Sequence, residues 1–408
     1  MTDNASAHRL QITKFKLNAL LEVTEAINES PSQEKLISRY ETLLCEELKI
    51  GKILLFKLAE EWECLLSSGL DKNDCPIDVE RDLLHYEEIS FIKSDTDACI
   101  STFDIAIPVL RDNKHLAFAL IGDFDEESEG VSPVIKHLHF IQTLSNIIVV
   151  AIENIRLNAE NIRQAAIRKE LELASRLQEM LIPDPSQLPS DGPFTVSAFY
   201  HPHMDIGGDY YDFFELSRNE YGFCICDVSG KGISAALIMS NFQANLRALF
   251  NCDIPLEVLI RRLNERVNES TKGERFLTMV VGKYNAKTME LQYVNAGHNP
   301  PLVYNRNNKA LTTMESHCVG IGMLEEMPPA EVRRITLEKG VKILFYTDGL
   351  VEMLHEDQVE SGTETIEKFI SNSAPIGNNI DDIVKHHGIL EGNLSIFDDI
   401  TILGFDFS

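Results

Sequence analysis

The chain has 408 residues, 44% of them hydrophobic and 25% charged, and 64 acids against 37 bases give a formal net charge of −27. That size accommodates two domains, and the charge argues against nucleic acid or an anionic membrane as a major partner, since both require a basic surface. Most of the acids read as a solvated surface, although the balance is compatible with bound cations.

No run of eighteen apolar residues occurs, and the start MTDNASAHRL lacks the basic-then-apolar order of a signal peptide. The expectation is a cytoplasmic protein with no membrane span. The eight cysteines contain no C-x-x-C spacing. Cys45, Cys64, Cys75, Cys99, Cys224, Cys226, Cys252 and Cys318 all read as reduced structural thiols, and Cys224 and Cys226 share one face of a strand.

In chain order, ITKFKLNALLEVTEAINES carries apolar residues at helical spacing and ends before Pro31. A second helix is predicted from about Ser32 to Leu48. GKILLFKLAE and ECLLSSGL read as a strand pair, and a short helix is expected near Val79–Glu88. DIAIPVLRDNKHLAFALIGDF is two apolar runs around a turn, a hairpin signal.

From about Ser132 to Ile182 the pattern becomes one long helix. Apolar or small residues recur at Ile141, Leu144, Ile148, Ala151, Ile155, Ile162 and Ala165, and the seam then shifts to Ile167, Leu171, Ala174, Leu177 and Leu181. Such length suggests a coiled coil that makes a homodimer, with a helix packed on its own domains as the alternative. PDPSQLPSDGP ends the helix.

Residues 194–408 are strand-rich. Strands are predicted at FTVSAFY, DYYDFFEL, YGFCICDV, FLTMVVGKY, MELQYVNA, PLVYN, VKILFYT and DITILGFDF. Helices are predicted at ISAALIMSNFQANLRALF and LEVLIRRLNERVNES, with two shorter ones within residues 363–390. This order predicts packed antiparallel sheets flanked by helices, an α+β fold.

Four aspartates, Asp209, Asp227, Asp348 and Asp398, stand at the ends of apolar strands beside glycines or polar turn residues. Convergent carboxylates repel unless a cation sits between them, and aspartate oxygens are hard ligands suited to Mg²⁺ or Mn²⁺. The competing reading is ordinary turn chemistry, since aspartate caps many strands.

The order GGDYYDFF, DVSGKGISAAL, NAGHNPP, YTDGLVEM and DDITIL resembles the metal-dependent type 2C (PPM) serine/threonine phosphatases, in particular the bacterial SpoIIE/RsbU-type. The resemblance covers residues 165–408. It implies a sandwich of two antiparallel sheets with helices on both outer faces, and a two-metal cleft. It further implies that Asp209, Asp227, Asp348, Asp398 and the carbonyl of Val228 hold two Mn²⁺ or Mg²⁺ ions, with Asp227 bridging. Asp212 and Asp399 read as residues that support the ligands from behind or bind water, and His298 reads as structural or as orienting water or phosphate. His201 and His203 read as surface histidines, and Lys231 as either steering phosphate or solvated.

The implied activity is hydrolysis of phosphoserine or phosphothreonine on a bacterial regulatory protein, such as an anti-sigma-factor antagonist. A silent scaffold of the same fold and a hydrolase of small phosphate esters are the rival classes. Residues 10–155 resemble a GAF domain, with a PAS-like sensor as the alternative, which implies a small ligand or protein activator. The expected organisation is a GAF-like domain at 10–155, a helical linker at 132–182 and a catalytic domain at 194–408.

Overall fold

The computed structural model describes residues 2–28, 32–70, 77–92, 99–122, 133–353, 362–391 and 396–407. It divides into two compact units, residues 1–166 and 167–408.

In the first unit, helix α1 spans Thr2–Asn28 and α2 spans Gln33–Glu41. The Ser32 hydroxyl caps α2 by accepting from the Lys35 N–H, and a π-helical turn at Thr42–Glu47 continues the helix. Strands β1 (Lys52–Leu58) and β2 (Trp62–Ser68) pair antiparallel, α3 is a short turn at Val79–Asp82, and β3 is Ser90–Phe91. The expected hairpin is β4 (Ile105–Arg111) and β5 (Lys114–Gly122). Its turn residues Asp112 and Asn113 take φ of 50° and 61°, the left-handed pair that matches strand twist. The sheet order is β2-β1-β5-β4-β3. The weak strand β3 escaped the sequence because two residues carry no alternation to read.

Helix α4 runs unbroken from Pro133 to Glu179. The first part of its apolar seam does not face another chain. Ile141, Leu144, Ile148 and Ala151 are buried in the core of the first unit with residues of α1, α2, β1, β4 and β5. By length and composition, Val134–Glu179 is the one described helix long and apolar enough to cross a membrane, and half of its most apolar window is buried inside the protein.

The expectation that all cysteines are reduced fails at Cys99, which is disulfide-bonded. Cys45, Cys64, Cys224, Cys226, Cys252 and Cys318 are free thiols, and Cys75 lies outside the described residues. Cysteine count and spacing carry no distance information, so a bridge between loop cysteines leaves no mark in the sequence.

The second unit holds two five-stranded antiparallel sheets. Its strands are β6 (Thr195–His201), β7 (Tyr210–Ser217), β8 (Glu220–Val228), β9 (Leu277–Asn285), β10 (Glu290–Ala296), β11 (Leu302–Asn305), β12 (Ala310–Thr313), β13 (Arg333–Thr336), β14 (Val341–Tyr346) and β15 (Ile400–Phe407). Their orders are β13-β10-β9-β8-β7 and β12-β11-β14-β15-β6. The sheets share one core in which Phe223 meets Phe345 and Phe405, with ring centroids 5.1 and 4.9 Å apart. Helices α5 (Ile233–Leu249) and α6 (Leu256–Thr271) pack on the first sheet. On the second lies α8 (Ile376–His386), preceded by α7 (Glu364–Ile370). Strands β12 and β13 were missed because they are short and largely exposed.

Within the first unit, Lys57 on β1 and Glu153 on α4 form a buried ion pair at 2.7 Å, and Arg156 adds a second contact to Glu153. Hydrogen bonding from Arg156, with the nearby Lys57, holds the Glu153 carboxyl well below the usual range, at about 2. Removing one partner leaves an uncompensated buried charge. Glu153→Gln should therefore destabilise the first unit by about 3–5 kcal/mol, followed by urea denaturation through Trp62, the single tryptophan. Because the folded pKa is depressed, this stabilisation is present above the ordinary carboxylate pKa of about 4.3 and should be lost as pH falls toward 2. The Gln variant should lose that part of the pH dependence.

Candidate active site

Asp209 precedes β7, Asp227 is the penultimate residue of β8, Asp348 follows β14, and Asp398 precedes β15. The first two belong to one sheet and the last two to the other, so all four lie where the sheets abut. The backbones are in close contact there. A methyl group on Gly349 would stand 2.1 Å from the carbonyl oxygen of Asp399, so the turn after β14 crosses directly over the approach to β15.

Asp209 is 1% exposed. Its Oδ2 accepts from the Thr347 hydroxyl at 2.8 Å and the Thr401 hydroxyl at 2.6 Å. Burial, then the charges of Asp227 and Asp399, push its pKa far above the ordinary value. Asp227 is pushed up to about 7 by burial and by Asp348, Asp398 and Asp399, while a hydrogen bond from Asp209 works the other way. Asp348 is raised by burial and then by Asp398. Burial and mutual repulsion both disfavour the charged forms of these carboxylates.

Lys231 supplies positive charge, pairing with Asp398 at 2.7 Å and donating to the Phe397 carbonyl. Among the described residues no three acidic, histidine or cysteine side chains are drawn together into a ready chelate. The donors are all oxygens and demand positive charge, which fits hard divalent cations.

Gly207 and Gly208 do not supply a left-handed turn, as neither has a positive φ. They are required by close approach instead. A Cβ on Gly207 would stand 2.5 Å from Asp399 Oδ2, and one on Gly208 would stand 3.1 Å from the Val228 carbonyl oxygen. The absent side chain of Gly208 leaves room beside that oxygen. In the following loop, Gly230 and Gly232 do need the left-handed region, at φ of 95° and 71°, to turn the chain into α5.

Asp399 and Asp212 have other work. Asp399 accepts from the N–H groups of His203 at 2.8 Å and Gly208 at 2.6 Å, clamping the loop before β7. Asp212 accepts two hydrogen bonds from Arg247, at 2.8 and 3.0 Å, and another from the Tyr210 hydroxyl. His298 is buried, with Nδ1 2.9 Å from the hydroxyl of Thr278, the cross-strand neighbour of Asp227. Burial pulls its pKa down to about 4, so it is a neutral spacer near pH 7. His201 is half-buried and His203 exposed. A cleft of about 970 Å³ opens beside Pro183, Tyr211 and Arg247, but none of the four strand-end aspartates lines it.

Residues 217–408 match the family described as Stage II sporulation protein E (SpoIIE). The matched segment lies within the second unit and spans somewhat less than half of the chain. Asp227, Asp348 and Asp398 fall inside the match, and Asp209 lies before it. The chain is also similar to two Bacillus subtilis proteins. The phosphoserine phosphatase RsbU is 28% identical over 194 residues, covering 48% of this chain and 57% of RsbU. The phosphoserine phosphatase RsbP is 27% identical over 193 residues, covering 45% of this chain and 46% of RsbP. The chain thus spans about half the length of these curated relatives. The SiaA-PP2C domain of Pseudomonas aeruginosa shares the fold, with a TM-score of 0.52 and 18% identity over 60% of this chain and 99% of that one.

Gly349→Ala should test the crossing of the two sheet ends. The clash is with backbone, so no side-chain rotation relieves it, and a loss of about 3 kcal/mol is expected. Thermal unfolding of the second unit reads it.

Proposed function

We propose that this protein is a Mn²⁺- or Mg²⁺-dependent phosphoprotein phosphatase that hydrolyses phosphoserine or phosphothreonine on a regulatory protein. The observation that carries the reading is the set of four aspartates from two sheets that share one partly buried, mutually repelling site inside a SpoIIE-type domain. Asp209, Asp227, Asp348 and Asp398, with the Val228 carbonyl, would hold the ions, and Asp227 would be common to both. When bound, such a pair supplies an activated water and neutralises phosphate oxygens.

The chain's own residues prepare that chemistry. Thr347 and Thr401 fix one oxygen of Asp209, leaving the other outside these bonds. Asp399 holds the loop that delivers Asp209. Lys231, 46% exposed at its side chain and beside Asp398, is placed to meet the anionic phosphate. No cysteine or serine nucleophile is required. Cys224 and Cys226 are buried, and burial pushes their thiols up, away from the reactive thiolate.

The first unit fits a GAF-like sensor that takes a small ligand or protein activator, and α4 fits a dimer contact. Beyond the core of the first unit, α4 exposes Ile162, Ile167, Leu173 and Leu177, which are 49–64% exposed. Such a row of apolar side chains is satisfied by a second copy of the helix.

Purified protein should release phosphate from an aryl phosphate and a phosphoserine protein only with Mn²⁺ or Mg²⁺. Asp227→Ala should lower kcat by about 10³-fold or more, the equivalent of several kcal/mol of lost charge stabilisation. Metal-independent release, or full activity in the variant, overturns the reading. Absence of release with intact metal binding would favour a silent scaffold. Sedimentation should find a dimer that Ile162→Glu with Leu173→Glu converts to monomer.

A further inference from the structure

From Val228 to Cys252 the chain carries no aspartate or glutamate, although 64 of its 408 residues are acids. The stretch takes in the end of β8, the loop 229–232 and all of α5. Lys231 and Arg247 are its charged residues. A surface helix ordinarily turns a charged or strongly polar face to water. Helix α5 turns Ile233, Leu237, Asn241 and Ala244 outward instead.

Two further apolar side chains stand beside the start of α5. A Cβ on Gly232 would lie 3.8 Å from the Met204 sulfur. The Phe397 carbonyl accepts from the Lys231 ammonium, which also pairs with Asp398 at 2.7 Å. Met204, Ile233, Leu237 and Phe397 thus border Lys231 as an apolar collar, with Leu237 one turn along α5 from Ile233. All four are more than half exposed. None of them belongs to the apolar cores of the second unit, so packing within the unit does not account for them.

Large apolar side chains grouped in water mark a contact surface. Position and charge identify what covers this one. The collar adjoins the Asp398 edge of the carboxylate site, so a polypeptide that brings a phosphate to Lys231 lies across it. A small phosphate ester would reach Lys231 and leave all four side chains in water. Freedom from acids also spares a phosphorylated partner local like-charge repulsion, in a chain whose net charge is −27.

We propose that this collar is the docking surface for the phosphoprotein substrate and that it selects phosphoserine or phosphothreonine flanked by apolar side chains. This rests on the phosphatase reading above and deepens it by naming what the substrate presents. Lys231 meets the phosphate, and the collar covers the apolar neighbours of the phosphorylated residue. Their burial supplies affinity in proportion to the area removed from water. The collar does not touch the bond that breaks, so its contribution is the same in the ground state and the transition state. Its loss raises KM and leaves kcat in place.

The experiment uses the full chain with Mn²⁺. Its substrates are p-nitrophenyl phosphate and a pair of phosphoserine peptides of equal length and charge. One peptide has leucines beside the phosphoserine and the other has glycines and serines. Wild type should show a KM for the leucine peptide about tenfold below that for the other, since a few well-placed side chains carry most of an interface's affinity. Ile233→Gln with Leu237→Gln removes the apolar contact without adding charge, and it should abolish this roughly tenfold preference. The kcat on the peptides and the kinetics on p-nitrophenyl phosphate should stay close to those of wild type. Leu237→Met should keep the preference. Leu390→Gln, which removes an exposed apolar side chain elsewhere in the second unit, should match wild type.

A wild type that treats the two peptides alike overturns the proposal. So does a folded double variant that keeps the preference, or one that loses activity on all the substrates in parallel, which marks a structural role. A double variant that changes oligomeric state in sedimentation and keeps the preference makes this face an interface between copies of the chain, and the proposal falls. If the double variant does not fold, Leu237→Gln alone decides by the same comparison. A wild type that hydrolyses none of the substrates sinks the phosphatase reading. Fluorescence anisotropy of the two labelled peptides, on wild type and the double variant, then decides the collar by itself.

Discussion

A carboxylate removed from water must find positive charge or hydrogen-bond donors, and Asp209 organises the second unit around that requirement. Two threonine hydroxyls from the opposite sheet reach its Oδ2. Because the donors come from β15 and the residue after β14, satisfying Asp209 also locks the two sheets at this edge. Asp348 and Asp398 sit on those same segments. The threonine bonds therefore set the relative position of all four acids.

The crowding of backbone follows from the same constraint. Gly349 crosses the Asp399 carbonyl, Gly207 accommodates the Asp399 carboxylate, and Gly208 leaves space beside the Val228 carbonyl. Each glycine removes a side chain where two segments carrying acids approach. Asp399 is bound up in holding the loop before β7, whereas Asp398 pairs with Lys231. Asp212 is bound up by Arg247, which separates it from the cluster despite lying three residues from Asp209.

Helix α4 belongs to both halves of the chain in a physical sense. Its first half is core, contributing Ile141, Leu144 and Ile148 to the first unit. Its middle is exposed, and its last turn is bonded to Gly207.

The sequence by itself determined the alternation of sheet strands, the long helix, the hairpin turn at Asp112 and Asn113, and the placement of four aspartates at strand ends. Those features are local, and period and turn chemistry express them directly. Recognition of the SpoIIE-type pattern added the expectation that the acids act together. Tertiary structure decided the rest. It separated Asp398 from its neighbour Asp399, which look alike in DDITIL but differ in what surrounds them. It put the first half of the helical seam into a core, because periodicity marks an apolar face without saying what covers it. It bonded Cys99, and it buried Gln178, which in a charged helical stretch carries no signal of its own. Each of these depends on a partner distant in the chain, and such pairings are fixed by packing rather than by any local run of residues.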